Sequence, residues 1–258
     1  MTTRRQFMTS ACAIGAAGIL SVAAHAADEV ATETGEIVVH PIQHASFVME
    51  TPNAVIYVDP VGDPVLYDGL PEPDIILITH VHGDHFDPET LAVISTLRTQ
   101  MMVSMTAYDR LPPDLQARSQ TLANGETKDV IGIEVEAVPA YNITEGRLDY
   151  HPQGRDNGYV FEIDGRRIYV AGDTEGTDEM RALDNIHLAF VPMNLPYTMD
   201  AAQAADAVAA FAPQIVYPYH YRGEDGEMQD PEEFARLLRE AGAETEVRMG
   251  DWYGEGSG

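Results

Sequence analysis

Short runs of β-branched and aromatic residues recur along the chain, and in each half they are followed by segments with a helical pattern. The runs are bounded by Pro, Gly, Asn or Asp, which is typical of strands that end in turns. The segment 158–174 predicts a hairpin, because its Asp164-Gly165 pair is flanked by alternating apolar residues. Single strands are predicted for 35–42, 45–51, 53–60, 74–80, 101–106, 131–140, 186–193 and 215–221.

Helices are predicted for 86–98, 200–211 and 230–242. The first begins with Asp87 as N-cap and Pro88 in its first turn. In the last, Asp230 is the expected cap, Glu233 completes a pattern like a capping box, and Gly242 ends the helix. Strands followed by helices in both halves favour an α/β fold in which two β-rich layers are covered by helices. The final stretch GDWYGEGSG, residues 250–258, predicts a frayed tail.

The first 26 residues predict a signal peptide for export, which is not part of the fold. The pair Arg4-Arg5 is followed by an Ala-rich apolar run and by the small residues 24–26. This pattern resembles a twin-arginine export signal cleaved after Ala26, and it predicts a periplasmic protein with 27–258 as a single mature domain. The apolar run, from Ala11 to Ala24, is shorter than the roughly 20 residues of a membrane span, so no stable membrane association is expected.

Charge and cysteine content narrow the possible partners and ligands. The chain has 15 Lys and Arg against 42 Asp and Glu, a net charge of −27, which argues against nucleic acid as a partner and favours a small-molecule substrate. The one cysteine, Cys12, lies within the predicted signal. A metal site in the mature chain must therefore use His, Asp, Glu or carbonyl oxygens. The sequence does not indicate an oligomeric state.

The stretch HVHGDH places His80, His82, Asp84 and His85 directly after an apolar strand. Alternation along an extended segment directs His80 and His82 to one side, and Gly83 permits the turn that returns the next two side chains. Imidazole and carboxylate bind first-row divalent metals, although clustered histidines also occur in solvated loops. Further along the chain, other side chains of these types follow predicted strands, where sites form at the rim of a sheet. They are Asp173 and His220.

The motif H-x-H-x-D-H, with GDT around Asp173 and the later His220, resembles the metallo-β-lactamase superfamily over about residues 35–248. The stretches PIQHASFVMET and VIYVDP further resemble its ascorbate-6-phosphate-lactonase-like branch. The resemblance implies an αββα sandwich with one or two divalent metal ions at one edge, zinc first, with manganese or iron as alternatives. By resemblance, the first metal is bound by His80 and His82, the second by Asp84, His85 and His220, and both by Asp173.

The resemblance also implies hydrolysis by a metal-activated hydroxide, with Asp84 as the catalytic residue that orients the nucleophile. The expected substrate is a small-molecule ester, lactone or phosphoester. The alternative is a non-catalytic metal- or ligand-binding protein on the same scaffold, because fold does not determine function. A β-lactamase proper is a third, weaker interpretation.

One position departs from the family pattern, which places a further first-site histidine after the VPA strand. Here the sequence reads VPAYN, with Asn142 at about that place. Three explanations remain open from the sequence. His151 substitutes for the missing histidine, Asn142 itself binds a harder metal such as manganese, or only the second site is filled.

Other polar residues have two interpretations each. His44 is either a structural histidine or a residue with a role near the metals. Asp59 is either a turn residue or a carboxylate that holds a ligand histidine in place. The polar stretch 142–158, which contains His151 and Arg155, is either a solvated surface loop or a substrate-binding flap over the metals.

Overall fold

The computed structural model of the protein describes residues 28–223 and 226–254. The predicted export signal, residues 1–26, lies outside the described residues. Within those ranges, no helix combines the length and the apolar character that crossing a membrane requires.

The described residues form two seven-stranded sheets in which the strands neighbour one another in chain order. The first sheet contains β1 Asp28–Ala31, β2 Glu36–Gln43, β3 Ser46–Glu50, β4 Val55–Val58, β5 Ile75–Ile78, β6 Gln100–Val103 and β7 Ser119–Thr121. The second contains β8 Thr127–Val130, β9 Ile133–Ala140, β10 Asp156–Ile163, β11 Arg166–Val170, β12 Leu188–Pro192, β13 Ile215–Tyr219 and β14 Glu246–Val247.

Both sheets have the same topology. The first four strands of each pair antiparallel, and the last four, β4–β7 and β11–β14, pair parallel. Since parallel strands end at the same edge, the carboxyl ends of β4, β5 and β6 form one rim, and those of β11, β12 and β13 form its counterpart.

Helices connect the parallel strands and lie outside the sheets. A short 3-10 helix, Pro64–Tyr67, follows β4, and the α-helices of the described residues are α1 Pro88–Ile94, α2 Met105–Tyr108, α3 Pro113–Gln116, α4 Asp178–Arg181, α5 Ala201–Phe211 and α6 Pro231–Glu240. Asp87 caps α1 as predicted, by accepting from the N–H groups of Glu89 and Thr90. The predicted capping box of α6 is wrong, because Glu233 pairs with Arg236 instead. The strand predicted at 101–106 ends at Val103, because Ser104 caps α2, which begins at Met105.

Three apolar clusters lie between successive layers of the fold, so the helices and sheets form four layers. One lies between the sheets, where Phe47 of β3 stacks on Phe190 of β12 with ring centroids 4.0 Å apart. Burying one such aromatic side chain stabilises the fold by about 1.5–3 kcal/mol. The second cluster joins the outer face of the second sheet to α4, α5 and α6, and the third joins the outer face of the first sheet to α1, α2 and α3. The architecture is therefore the αββα sandwich that the sequence predicts.

The carboxyl-terminal segment is packed rather than frayed as far as the structure describes it. Trp252 is 1% exposed and lies against Phe47, Phe190 and Tyr219, and its carbonyl accepts the backbone N–H of His44 at 3.2 Å. The prediction of a frayed tail was wrong for residues 250–254. It relied on the glycine content and the terminal position of the segment, whereas the indole of Trp252 fills the end of the core between the sheets.

Candidate metal centre

The parallel strands of the two sheets direct their carboxyl ends to one place. His80 follows β5, Asp173 follows β11 and His220 follows β13. The structure brings all six sequence-predicted ligands together here. His80, His85, Asp173 and His220 are buried, whereas the side chain of Asp84 is 45% exposed and borders solvent.

One group of potential ligands consists of three histidines, His80, His82 and His151, whose nitrogens all lie within 4.8 Å of one another. Nε2 of His80 is 3.0 Å from Nδ1 of His82. His151 is fully buried, although it comes from the polar stretch whose role the sequence left open.

The side chain of Asn142 contacts His151 on the side of the ring that faces away from the centre. Nδ1 of His151 faces two acceptors, the Oδ1 of Asn142 at 3.3 Å and the carbonyl of Tyr197 at 3.2 Å. Nδ1 therefore carries the proton, and Nε2 faces the centre, 3.4 Å from Oδ2 of Asp173. The amide nitrogen of Asn142 donates to the carbonyls of Tyr197 and Arg147 at 2.8 and 3.0 Å.

Asp173 joins this group to a second one. Its Oδ1 lies 3.4 Å from Nε2 of His85, and its Oδ2 lies 3.4 Å from Nε2 of His220. The same His220 nitrogen is 3.4 Å from Oδ2 of Asp84. His44 completes a set with Asp84 and His220 whose ligand atoms are mutually within 4.8 Å.

Asp59 holds His85 in place, in agreement with one of its two sequence interpretations. Its carboxylate accepts from Nδ1 of His85 at 2.8 Å and from both the N–H and the hydroxyl of Thr79 at 2.8 and 2.6 Å. The hydroxyl of Thr79 in turn lies 3.0 Å from Nδ1 of His80 and accepts its proton. Both rings thus present Nε2 to the centre, an orientation typical of metal-ligating histidines. Thr79 was missed from the sequence although it adjoins the motif.

The charges of the buried groups are complementary. Burial alone would raise the pKa of the Asp173 carboxyl, but His220 and His85 hold that pKa well below its usual range. Burial lowers the pKa of His80 and His82. Burial also opposes the charged form of His220, yet Asp173 and Asp84 raise the pKa of this imidazole to about 10. The centre therefore combines a carboxylate held in its ionised form with the imidazoles of His80 and His82, whose neutral form is favoured, and with the imidazole of His220, whose charged form is favoured.

Atoms without a hydrogen-bond partner test whether these residues fit a metal. Within the described part of the chain, Nε2 of His85, Nε2 of His151 and Oδ1 of Asp173 are buried and have no such partner. Leaving a buried polar atom unsatisfied costs about 1–3 kcal/mol. All three atoms face the centre, and imidazole with carboxylate is a donor set that first-row divalent metals accept without thiolate. The residues fit one or more such ions.

The stretch after Asn142 is held against the centre. The carboxylate of Glu175, which is 2% exposed, accepts the backbone N–H groups of Ile143 and Thr144 at 2.7 Å each. The guanidinium of Arg155 is ion-paired with Asp156 at 2.7 Å and lies 3.4 Å from Nε2 of His82. The loop thus contacts the ligand group, and its role in substrate binding stays a prediction. Glu175 was missed because its role depends on the path of a distant loop.

A cavity of about 400 Å³ opens beside the second group. His44, Asp84 and His220 line it on the side of the centre, and Tyr197, Arg222 and Tyr253 line it elsewhere. This volume lies within the range of small-molecule sites.

Residues 39–220 match the family model described as the beta-lactamase superfamily domain, and the chain belongs to that superfamily. The UPF0173 metal-dependent hydrolase MK1542 of Methanopyrus kandleri is 31% identical over 219 residues, which are 79% of this chain and 92% of that protein. The chain is therefore a metal-dependent hydrolase with the metallo-β-lactamase fold.

Solved structures also resemble the chain. A crystal structure from Parabacteroides distasonis, of a protein assigned as a metal-dependent hydrolase, is 39% identical with a TM-score of 0.76 and covers 88% of this chain and 99% of its own. Igni18, a metallo hydrolase from Ignicoccus hospitalis, is 24% identical with a TM-score of 0.68, over 83% of this chain and 94% of its own. The second likeness shows the fold alone.

Proposed function

We propose that the protein hydrolyses a small-molecule ester, lactone or phosphoester with a hydroxide generated at two divalent metal ions. The observation that carries the proposal is the set of buried, unpartnered ligand atoms that converge beside a cavity of about 400 Å³.

The two proposed sites share one carboxylate. His80, His82 and His151 form the first site, Asp84, His85 and His220 form the second, and Asp173 lies between them. We propose that His151 substitutes for the histidine that is missing at residue 142. The hydrogen bond between Asn142 and Nδ1 of His151 turns Nε2 of His151 toward the centre. Since Asn142 is then not a ligand, the reason for a harder cation disappears, and zinc is the proposed metal, with manganese and iron as alternatives.

The chemistry divides between the metals and the chain. Bound divalent ions lower the pKa of a water molecule toward neutrality. The carboxylate of Asp84 borders the cavity, so it is placed to orient the attacking water. The buried histidines exclude bulk water from the other side, and the cavity limits the substrate to a small molecule. The resemblance of the N-terminal hairpins to the ascorbate-6-phosphate-lactonase-like branch supports a lactone or a related ester within this range.

Metal removal tests the proposed activity. The mature protein, purified and then stripped with a chelator, should lose hydrolysis of a panel of aryl esters, lactones and phosphodiesters, and zinc should restore it. Elemental analysis before stripping should show up to two equivalents of zinc, manganese or iron per chain. A protein that holds metal but hydrolyses no member of the panel, loaded with any of the three, would support the non-catalytic alternative instead.

We also propose that the protein is exported to the periplasm by the twin-arginine route, with cleavage after Ala26. The support is the Arg4-Arg5 pair followed by an apolar run that begins at Ala11. Replacing both arginines with lysine keeps the charge but should leave the precursor inside the cell, as fractionation and immunoblotting would show. Replacing the more distant Arg98 with lysine is the control, and mature periplasmic protein from the double variant would contradict the proposal.

A further inference from the structure

His44 is fixed at the junction of the two sheets and the carboxyl-terminal segment. Its backbone has a φ of 52°, a conformation that non-glycine residues adopt rarely, and His220 opposite has a φ of 48°. The N–H of His44 donates to the carbonyl of Trp252, and its own carbonyl accepts the N–H of His220, each at 3.2 Å. The two imidazole rings lie 3.8 Å apart. Strained residues that are held from several sides are typical of functional sites.

Hydrogen bonds around the His44 ring indicate where its proton lies. Nδ1 is 2.9 Å from the phenol oxygen of Tyr253, and that oxygen accepts the backbone N–H of Arg222 at 3.0 Å. The phenol therefore has its own proton to donate, and Nδ1 is its acceptor. In this arrangement Nε2 carries a hydrogen, and Nε2 lies 3.4 Å from Oδ2 of Asp84. A carboxylate oxygen is the acceptor such a donor requires.

We propose that Tyr253 and His44 are positioning residues for the second metal site, in which the Tyr253 phenol orients His44 so that Nε2–H holds Asp84. His44 is then a hydrogen-bond donor to a ligand and not a ligand itself. The inference rests on the proposed function, because Asp84 is assigned there both to the metal and to the nucleophile.

The exposure of Asp84 explains why its carboxylate needs a hydrogen-bond donor to hold it. Its side chain is 45% exposed, whereas those of His85 and His220 are at most 1% exposed, so packing alone restrains the carboxylate least among the second-site ligands. A charge-assisted donor limits its rotation. Partners of this kind, when mutated, typically change metal affinity or activity by about 10–100-fold.

Tyr253→Phe is the sharpest test, because it removes one oxygen and keeps the ring that contacts Arg222 at 4.3 Å and Tyr221 at 4.8 Å. The probe is Co²⁺, titrated into the metal-free mature protein and followed by visible absorption. We expect the cobalt content to be unchanged, the absorption bands of the second site to shift, and its cobalt affinity to fall by about tenfold. Tyr221→Phe, which removes the same atom from the neighbouring ring, should match the wild type.

Two variants of His44 separate positioning from ligation. His44→Gln retains an N–H donor of similar reach and His44→Leu does not, and both incur the same backbone cost at a φ of 52°. The glutamine variant should stay close to the wild-type cobalt spectrum, and the leucine variant should resemble Tyr253→Phe with full cobalt content.

Three results would overturn this inference or its basis in distinguishable ways. Loss of one cobalt equivalent in both His44 variants would show that His44 is a ligand. A Tyr253→Phe protein with the wild-type spectrum and affinity would show that the phenol positions nothing. A wild-type protein that binds no cobalt would instead overturn the proposed function itself.

Discussion

Replacing Asp173 with asparagine should release metal from both proposed sites at once. The carboxylate is 3% exposed, and its two oxygens lie 3.4 Å from the Nε2 atoms of His85, His151 and His220, which belong to different sites. Asparagine has the same shape but no charge, so three buried histidines lose their shared anion. Removing one partner from a buried charged set costs about 3–5 kcal/mol, which corresponds to a loss of roughly 100-fold or more in zinc affinity.

Zinc titration of the metal-free variant, together with elemental analysis of the protein as purified, measures this effect. Asp206→Asn is a suitable control, because the Asp206 carboxylate is 74% exposed and pairs with Arg181 on the outer helices. It should keep the wild-type affinity. If Asp173→Asn retained both metals with unchanged affinity, Asp173 would not lie between two sites.

The two halves of the chain show why strand ends were informative in the sequence. Asp59 follows β4 and Asp173 follows β11, and these strands hold the same place in the two sheets. Each carboxylate therefore reaches the common rim. The tertiary structure shows how their roles differ, because Asp59 is occupied by Thr79 and His85 while Asp173 retains an oxygen without a partner.

Local patterns predicted the fold and the ligands that adjoin strands. His80, His82, Asp84 and His85 share one turn, so their proximity follows from the sequence alone. Alternation and turn residues likewise predicted most strands, and the layers followed from their order. These features depend on neighbours within a few residues, which is the range over which the pattern of a single chain is informative.

Contacts that depend on the path of a loop were not predictable. Whether Asn142 or His151 is the first-site ligand depends on the path of the loop between them. Glu175, from another segment, holds the start of that loop in place. Trp252 and Tyr253 were missed for a related reason. Both contact His44, which lies 209 positions before Tyr253, so composition near the terminus carried no signal of this contact.

His151→Ala should empty the first site and leave the second occupied. That site would keep only two imidazoles, from His80 and His82, and a share of the Asp173 carboxylate, which is less than three full protein ligands, the usual set for catalytic zinc. The metal content should fall by one equivalent, and hydrolysis should fall to background, because one bound ion would stabilise hydroxide less than two. His187→Ala is the control, since His187 precedes the amino end of β12, opposite the centre.

Substitutions at Asn142 should separate a ligand from the residue that orients it. Asn142→Ala removes one of the two acceptors of the His151 Nδ1 proton but leaves the Tyr197 carbonyl at 3.2 Å, so first-site zinc affinity should fall by only about tenfold, or roughly 1.4 kcal/mol. Asn142→His should not tighten the site, because the side chain at 142 points toward the carbonyls of Arg147 and Tyr197. Zinc titration into the metal-free variants measures both effects. A first site that is tightened by Asn142→His and indifferent to His151→Ala would show that residue 142 is the natural ligand position and that His151 only packs behind it.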